Sequence, residues 1–173
     1  MSSHHQALMG ECNQSLPWRS IWKPKVPSRV TFFVWTAALG NILTIDNFGK
    51  QKILTLDWCC MCKRNGESVI HLFIHCPIAF DLWSMVFTLF GTHWVMPKTV
   101  VELLACRQGK FGRHRNFAIW MAVSHCLMWY IWRERNNWRF EDLERSISDL
   151  KLFFLKTLLD CVVVLGFHSF SLG

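Results

Sequence analysis

Residues 58–77 contain two clusters of possible metal ligands, Trp58-Cys59-Cys60-Met61-Cys62 and His71-Leu72-Phe73-Ile74-His75-Cys76-Pro77. Two residues separate Cys59 from Cys62, and four separate His71 from Cys76, a pattern of two short ligand pairs that indicates a zinc site. Three thiolates and one imidazole form a closed tetrahedral set with no position for water or substrate. The sequence therefore predicts one structural Zn²⁺, bound by Cys59, Cys62, His71 and Cys76, and argues against a catalytic zinc.

Two neighbouring residues compete for places in this ligand set. His75 would share a helix face with His71, whereas Cys76 precedes Pro77 and is therefore biased toward an extended backbone that can turn its thiol back onto the metal. We favour Cys76 over His75, and we treat Cys60 as a spare for the first pair because Cys59 and Cys62 have the better spacing.

The same first cluster has the W-C-x-x-C form of a thioredoxin-like redox site. Such a site needs a helix after its first cysteine. The following Lys63-Arg64-Asn65-Gly66-Glu67 is typical of a turn, so the redox interpretation is the weaker one.

Composition indicates a folded, mainly α-helical chain. Hydrophobic residues make up 51% of the 173 residues and include ten tryptophans and fourteen phenylalanines, which is far too apolar for a disordered segment. Helical patterns predict helices over residues 28–39, 77–91, 99–107 and 117–132, followed by an apolar helical stripe from Leu150 to Leu165. We expect Phe80, Trp83, Phe87 and Phe90 to face the core together. The expected fold is a small zinc knuckle, with one short β-hairpin at Asn65-Gly66 as an option, among α-helices and before a C-terminal helical subdomain.

The distribution of charge points to a polyanionic partner. Residues 1–140 hold sixteen Lys and Arg against seven Asp and Glu, and residues 141–173 hold three against five. Basic residues beside an aromatic side chain suit single-stranded nucleic acid, because they combine phosphate neutralisation with base stacking. The residues predicted to bind RNA or DNA are Lys50, Lys52, Trp58, Lys63 and Arg64. In the competing interpretation, Trp58 and the nearby Phe73 are core residues and the basic side chains are merely solvated.

Membrane insertion is disfavoured by length. Residues 117–132 lack formal charge but form only sixteen positions, fewer than the roughly 20 that a helical span needs. The opening Met1-Ser2-Ser3-His4-His5 is polar and unlike a signal peptide, and the remaining cysteines are scattered. We therefore expect an intracellular protein, in the nucleus or cytoplasm, with no membrane partner.

Further landmarks surround the cysteine and histidine pairs. They are Ile21-Trp22-Lys23, Lys25-Val26-Pro27, Phe32-Phe33-x-Trp35, Leu43-Thr44-x-Asp46-Asn47-Phe48, and Glu67-x3-His71-Leu72-Phe73-x2-Cys76-Pro77-x-Ala79 with Trp83. In this order they resemble the zinc-binding domain near the C-terminus of reverse transcriptases of plant non-LTR retrotransposons. The resemblance implies that Cys59, Cys62, His71 and Cys76 bind zinc and that the parent protein handles RNA and DNA. It divides the chain into a zinc-binding domain over residues 17–91 and a helical region over residues 92–173.

The chain departs from that family's pattern at two positions. Thr36 follows Trp35 where a basic residue is usual, and Cys60 stands where proline is common. The chain also starts almost at the first landmark, and Tyr130 is its sole tyrosine, so we expect neither polymerase nor endonuclease activity. The predicted function is a non-catalytic zinc module that binds RNA or DNA. The alternatives are a zinc-stabilised scaffold for a protein partner, such as the parent reverse transcriptase, and a non-functional retrotransposon remnant.

Overall fold

A computed structural model of the chain describes residues 18–45, 47, 58–91, 95, 97–105 and 114–164, and for residues 114–118 and 161–164 it describes the backbone alone. The helices of this part of the chain follow one another as α1 (Trp18–Trp22), α2 (Ser28–Ala38), a π-helix (His71–His75), α3 (Pro77–Leu89), α4 (Val100–Ala105), α5 (His114–Phe140) and α6 (Ile147–Val164). No β-strand occurs among these described residues. The mainly α prediction is therefore confirmed, and the optional hairpin at Asn65-Gly66 is absent.

The helix ends follow local sequence signals. The last turn of α2 closes on Gly40, whose φ of +71° is accessible to glycine without strain. There the N–H of Gly40 donates to the carbonyl of Ala37 and the N–H of Asn41 to that of Thr36, as in a Schellman cap. Pro77 occupies the first turn of α3, where its missing N–H costs nothing.

A single aromatic-rich core joins the helices. Helix α2 packs on α5, and α3 packs on the π-helix, α5 and α6. Phe33 on α2 lies 6.0 Å from Phe73, 5.3 Å from Trp129 and 5.7 Å from Trp132 between ring centroids. Because these rings come from both sides of residue 91, the core runs without interruption across the predicted division at residues 91 and 92.

Of the four aromatic residues expected to face the core, three do so: two lie in α3, and Phe90 directly follows it. Trp83 and Phe87 are buried and Phe90 is partly buried against the core, whereas Phe80 is 40% exposed. With 3.6 residues per turn, Phe80 lies about 60° around the helix from Trp83, on the side away from the buried Leu82. The expectation that Phe80 faces inward is therefore wrong.

Residues 117–132 lie within α5, as expected of a buried central helix. No helix within the described ranges combines the length and apolar character needed to cross a bilayer.

Candidate metal centre

The four predicted ligands converge on one point. One ligand atom from each of Cys59, Cys62, His71 and Cys76 lies within 4.8 Å of the others, and the Nε2 atom of His71 is 3.3 Å from the Sγ atom of Cys62. Around a tetrahedral zinc with Zn–S bonds of about 2.3 Å, sulfur atoms stand about 3.8 Å apart. Because the donor types and their separations both fit, these residues are positioned to hold one Zn²⁺ ion.

A tight turn positions the first pair. The N–H of Lys63 donates to the carbonyl of Cys59 over 2.8 Å, and the N–H of Cys59 donates to the carbonyl of Asn65 over 2.7 Å. Lys63 has a φ of +56°, a left-handed conformation that few non-glycine residues adopt. The chain reverses at Lys63, which brings Asn65 back beside Cys59. Both backbone hydrogen bonds that close the turn therefore involve Cys59, one of the predicted ligands.

The second pair is set by the π-helix. Its wide turn lets the N–H of Cys76 donate to the carbonyl of His71 over 2.7 Å, five residues back. In an α-helix, residues five apart point about 140° away from each other, whereas the wider turn brings them to one side. Cys76 then leaves the helix with an extended backbone, φ −62° and ψ 127°, as its place before Pro77 predicted.

Hydrogen bonds among the ligands polarise the site. The hydrogen bond between the Cys59 and Cys76 side chains raises the pKa of Cys59 to about 12, and burial adds to the shift. The same contact lowers the pKa of Cys76, as do the backbone N–H groups of Ala79 and Ile78 in the first turn of α3. Contact with the Cys59 thiol raises the pKa of His71. Metal binding therefore has to displace the proton of Cys59 against its raised pKa, whereas the lowered pKa of Cys76 favours the thiolate that a metal needs.

The competing residues lie outside this cluster. The Sγ atom of Cys60 contacts Oε2 of Glu67 at 4.0 Å and the carbonyl of Arg135 at 3.6 Å, and burial raises its pKa to about 11. His75 is exposed. A redox site would lower the pKa of its first cysteine, which is the opposite of the shift at Cys59, and a turn rather than a helix follows Cys62.

A buried ion pair connects the residue after the knuckle turn, Glu67, to α5. Arg135 on α5 donates from Nη2 to Oε1 of Glu67 over 2.5 Å and from Nε to both carboxylate oxygens over 3.1 and 3.2 Å. Oε1 also accepts the N–H of Ile45 over 3.0 Å. Arg135 is 1% exposed, whereas Arg139, about one turn further along α5, is partly exposed. The pair fastens the knuckle to α5 and to the segment after α2.

The residues predicted to contact nucleic acid are placed differently from one another. Trp58 is 57% exposed, and Arg64 is exposed on the turn. Lys63 is exposed too, but its Nζ atom pairs with Oε1 of Glu144 at 2.7 Å. Phe73 is fully buried, so the core interpretation holds for it. Lys50 and Lys52 lie outside the described residues.

A surface cavity of about 330 Å³ lies beside the zinc knuckle. We call the residues that line it, together with the basic turn at Lys63 and Arg64, the knuckle face. Trp58, Cys60, Trp138, Arg139 and Phe140 line the cavity, which places the end of α5 beside the knuckle. The guanidinium carbon of Arg139 lies 5.8 Å from the centre of the Phe140 ring. No local sequence pattern indicates this shared cavity, because about 80 residues separate Trp58 from Arg139 and Phe140.

Comparison with known proteins agrees with this site. Residues 1–83 match a protein family described as zinc-binding in reverse transcriptase, and that match includes all four clustered ligands. A relative from Arabidopsis thaliana, named as a ribonuclease H protein, is 23% identical over 123 residues, which cover 71% of this chain and 20% of the relative. The chain thus spans about a fifth of the length of that relative. No solved structure matches the chain.

Proposed function

We propose, from the membership of residues 1–83 in the family of zinc-binding domains of reverse transcriptases, that this chain is a non-catalytic module that binds single-stranded RNA or DNA. The observation that carries the proposal is the exposed Trp58, which shares a cavity with Arg139 and Phe140 beside the basic turn. Zinc would hold this turn in place, since Cys59 and Cys62 are in the turn while the other two ligands flank the π-helix, His71 at its first residue and Cys76 directly after its last.

The chemistry of the knuckle face suits an unpaired nucleotide. An exposed indole offers a ring on which a base can stack, worth about 1–3 kcal/mol per base. Arg64 and Arg139 supply guanidinium groups for phosphate. Lys63 contributes less than the sequence indicated, because the carboxylate of Glu144 offsets its charge. Exposed pairs of this kind are weak, about 0–1 kcal/mol, so a phosphate could replace Glu144 as the partner of Lys63.

We propose that the metal site itself performs no catalysis, because its four ligands leave no open coordination position. The name of the Arabidopsis relative raises ribonuclease H activity as a competing function. Incubation of the purified chain with an RNA–DNA hybrid and Mg²⁺ tests this, and cleavage would contradict the proposal.

Fluorescence anisotropy with labelled single strands tests the binding proposal. The Arg64→Ala and Arg139→Ala variants are expected to weaken binding across all sequences and to flatten its salt dependence, by about 0.7 in log–log slope per lost phosphate contact. The Lys156→Ala variant on α6 is the matched control. If wild-type protein with bound zinc ignores both RNA and DNA at about 0.15 M salt, the nucleic-acid proposal fails and the scaffold alternative gains.

A further inference from the structure

We infer that a second face, built by α1 and α2, is a stacking and phosphate-binding surface for single-stranded nucleic acid, made of residues other than those of the knuckle face. This inference rests on the proposed function. The surface is defined by four aromatic residues, Trp18, Trp22, Phe32 and Trp35, and by the basic residues between them, and we call it the aromatic–basic face.

The aromatic residues form one cluster with exposed rims. Trp35 is partly buried, and its ring centroid lies 6.5 Å from that of Trp18, 6.3 Å from Trp22 and 5.4 Å from Phe32. The three outer side chains are 49%, 51% and 55% exposed, respectively. Contact with Trp35 holds the rings in place while much of each remains open to solvent. Large exposed aromatic groups collected in one patch are typical of a binding surface.

Basic residues alternate in the sequence with these aromatic residues. Arg19, Lys23, Lys25 and Arg29 are all exposed, and the sequence contains no Asp or Glu between Glu11 and Asp46. Among the described residues, none of the four cations forms an ion pair, in contrast to Lys63 with Glu144. Exposed cations without an ion-pair partner among the described residues favour a polyanion.

A single strand fits this combination better than a duplex does. Its bases are free to stack on aromatic rings, at about 1–3 kcal/mol per base, while its phosphates contact the neighbouring cations. In a duplex the base faces are already stacked on one another. An anionic membrane also attracts basic and aromatic residues, but the rings here stand at tilts of 39° to 53° to Trp35, so they form separate platforms rather than one flat apolar layer.

The test uses the full chain with zinc and labelled single strands of about twenty uridines or thymidines, which also separates RNA from DNA. The stacking variant is Trp22→Ala with Phe32→Ala. We expect it to weaken binding roughly 5- to 150-fold, the equivalent of one stacked base. The same two substitutions should weaken the binding of an abasic strand of equal length much less, because that strand has no base to stack.

The charge variant is Arg19→Gln with Lys23→Gln, and both of these side chains are exposed. It keeps all the aromatic rings, so it still tests the inference if the stacking variant misfolds. It should reduce the log–log salt slope by about 1.4, which corresponds to two phosphate contacts on a single strand. Lys151→Gln with Lys156→Gln, on α6, removes the same charge from another surface and should leave the slope closer to that of wild type.

Each outcome decides between the two proposals. If wild type binds the single strands, and the stacking and charge variants bind them as tightly as wild type does, this inference fails and the proposed function stands. If wild type binds no single strand, both fail. Binding to phosphatidylserine vesicles in place of the oligonucleotides would overturn the choice of nucleic acid as the occupant.

Discussion

The carboxylate of Glu67 and the guanidinium of Arg135 form a salt bridge with both side chains buried, 68 residues apart in sequence. Glu67 follows the knuckle turn, and Arg135 lies on α5 with its guanidinium carbon 4.9 Å from the centre of the Trp132 ring. The zinc-binding segment is therefore attached to the remainder of the fold by charge as well as by apolar packing.

Neutralising one member of this pair should be costly. In the Glu67→Gln variant, Arg135 would remain charged and buried without a carboxylate, and the expected loss is about 3–5 kcal/mol of unfolding free energy. Urea denaturation with zinc present measures it. Glu144→Gln breaks the exposed pair with Lys63 and serves as the control, with an expected loss below about 1 kcal/mol. Equal losses in the two variants would contradict the role given to the buried pair.

Zinc content should distinguish the ligands from their neighbours. We expect about one zinc per wild-type chain and loss of that zinc in Cys62→Ser, with a fall in stability because metal binding and folding are coupled. Cys60→Ser and His75→Ala should retain the metal, since both residues lie outside the cluster. Elemental analysis of the purified proteins provides the measurement, and zinc loss in Cys60→Ser or His75→Ala would show that the cluster is wrongly assigned.

The buried His125 should make stability depend on pH. Burial lowers its pKa below 6.5, although its ring nitrogens lie 2.8 Å from the carbonyl of Met121 and 3.0 Å from that of Ile21. As pH falls below about 6.5, the unfolded chain takes up the proton first, so the folded state loses stability toward acid. We expect the unfolding free energy of wild type, relative to His125→Gln, to fall from about pH 7.5 to about pH 5.5.

Protonation of the zinc ligands affects both proteins in that comparison and largely cancels. A constant difference between wild type and His125→Gln, or a larger advantage of wild type in acid, would contradict the lowered pKa.

The core of α3 offers a packing test. Trp83 is fully buried, and its Nε1–H donates to the carbonyl of Phe73 over 2.9 Å. Trp83→Ala should cost about 3–5 kcal/mol through lost burial and the cavity left behind. Phe80→Ala removes a ring that is 40% exposed and should cost less than half as much. Similar denaturation midpoints for the two variants would contradict the assigned faces of the helix.

Local signals were sufficient for much of this structure. The spacing of the Cys and His pairs predicted which residues converge, Gly40 ended α2, and Pro77 began α3. Each of these depends on residues close in sequence, where backbone preference and ligand geometry act directly. Phe80 was misplaced because apolar character alone does not locate the edge of a helix's buried arc.

Contacts between distant segments were not predictable in the same way. Lys63 looked like a basic contact because its partner Glu144 follows 81 residues later. The buried pair of Glu67 and Arg135 likewise joins residues 68 positions apart. Trp22 was interpreted only as part of a family landmark, and its contact with Trp35, which Trp18 shares, is what reveals a surface. The partner of a charged or aromatic side chain from a distant segment is determined only by the way the helices pack together.

The π-helix between His71 and Cys76 also limits which changes of length the knuckle could survive. Its hydrogen bond from Cys76 to His71 spans five residues, so removing one residue from positions 72–75 would tighten the turn toward an α-helix and rotate Cys76 by about 100°. Changing the exposed His75 leaves that spacing intact. Tolerance at this site should therefore depend on the number of intervening residues more than on their identity, and shortening the segment would do more harm than substitution at position 75.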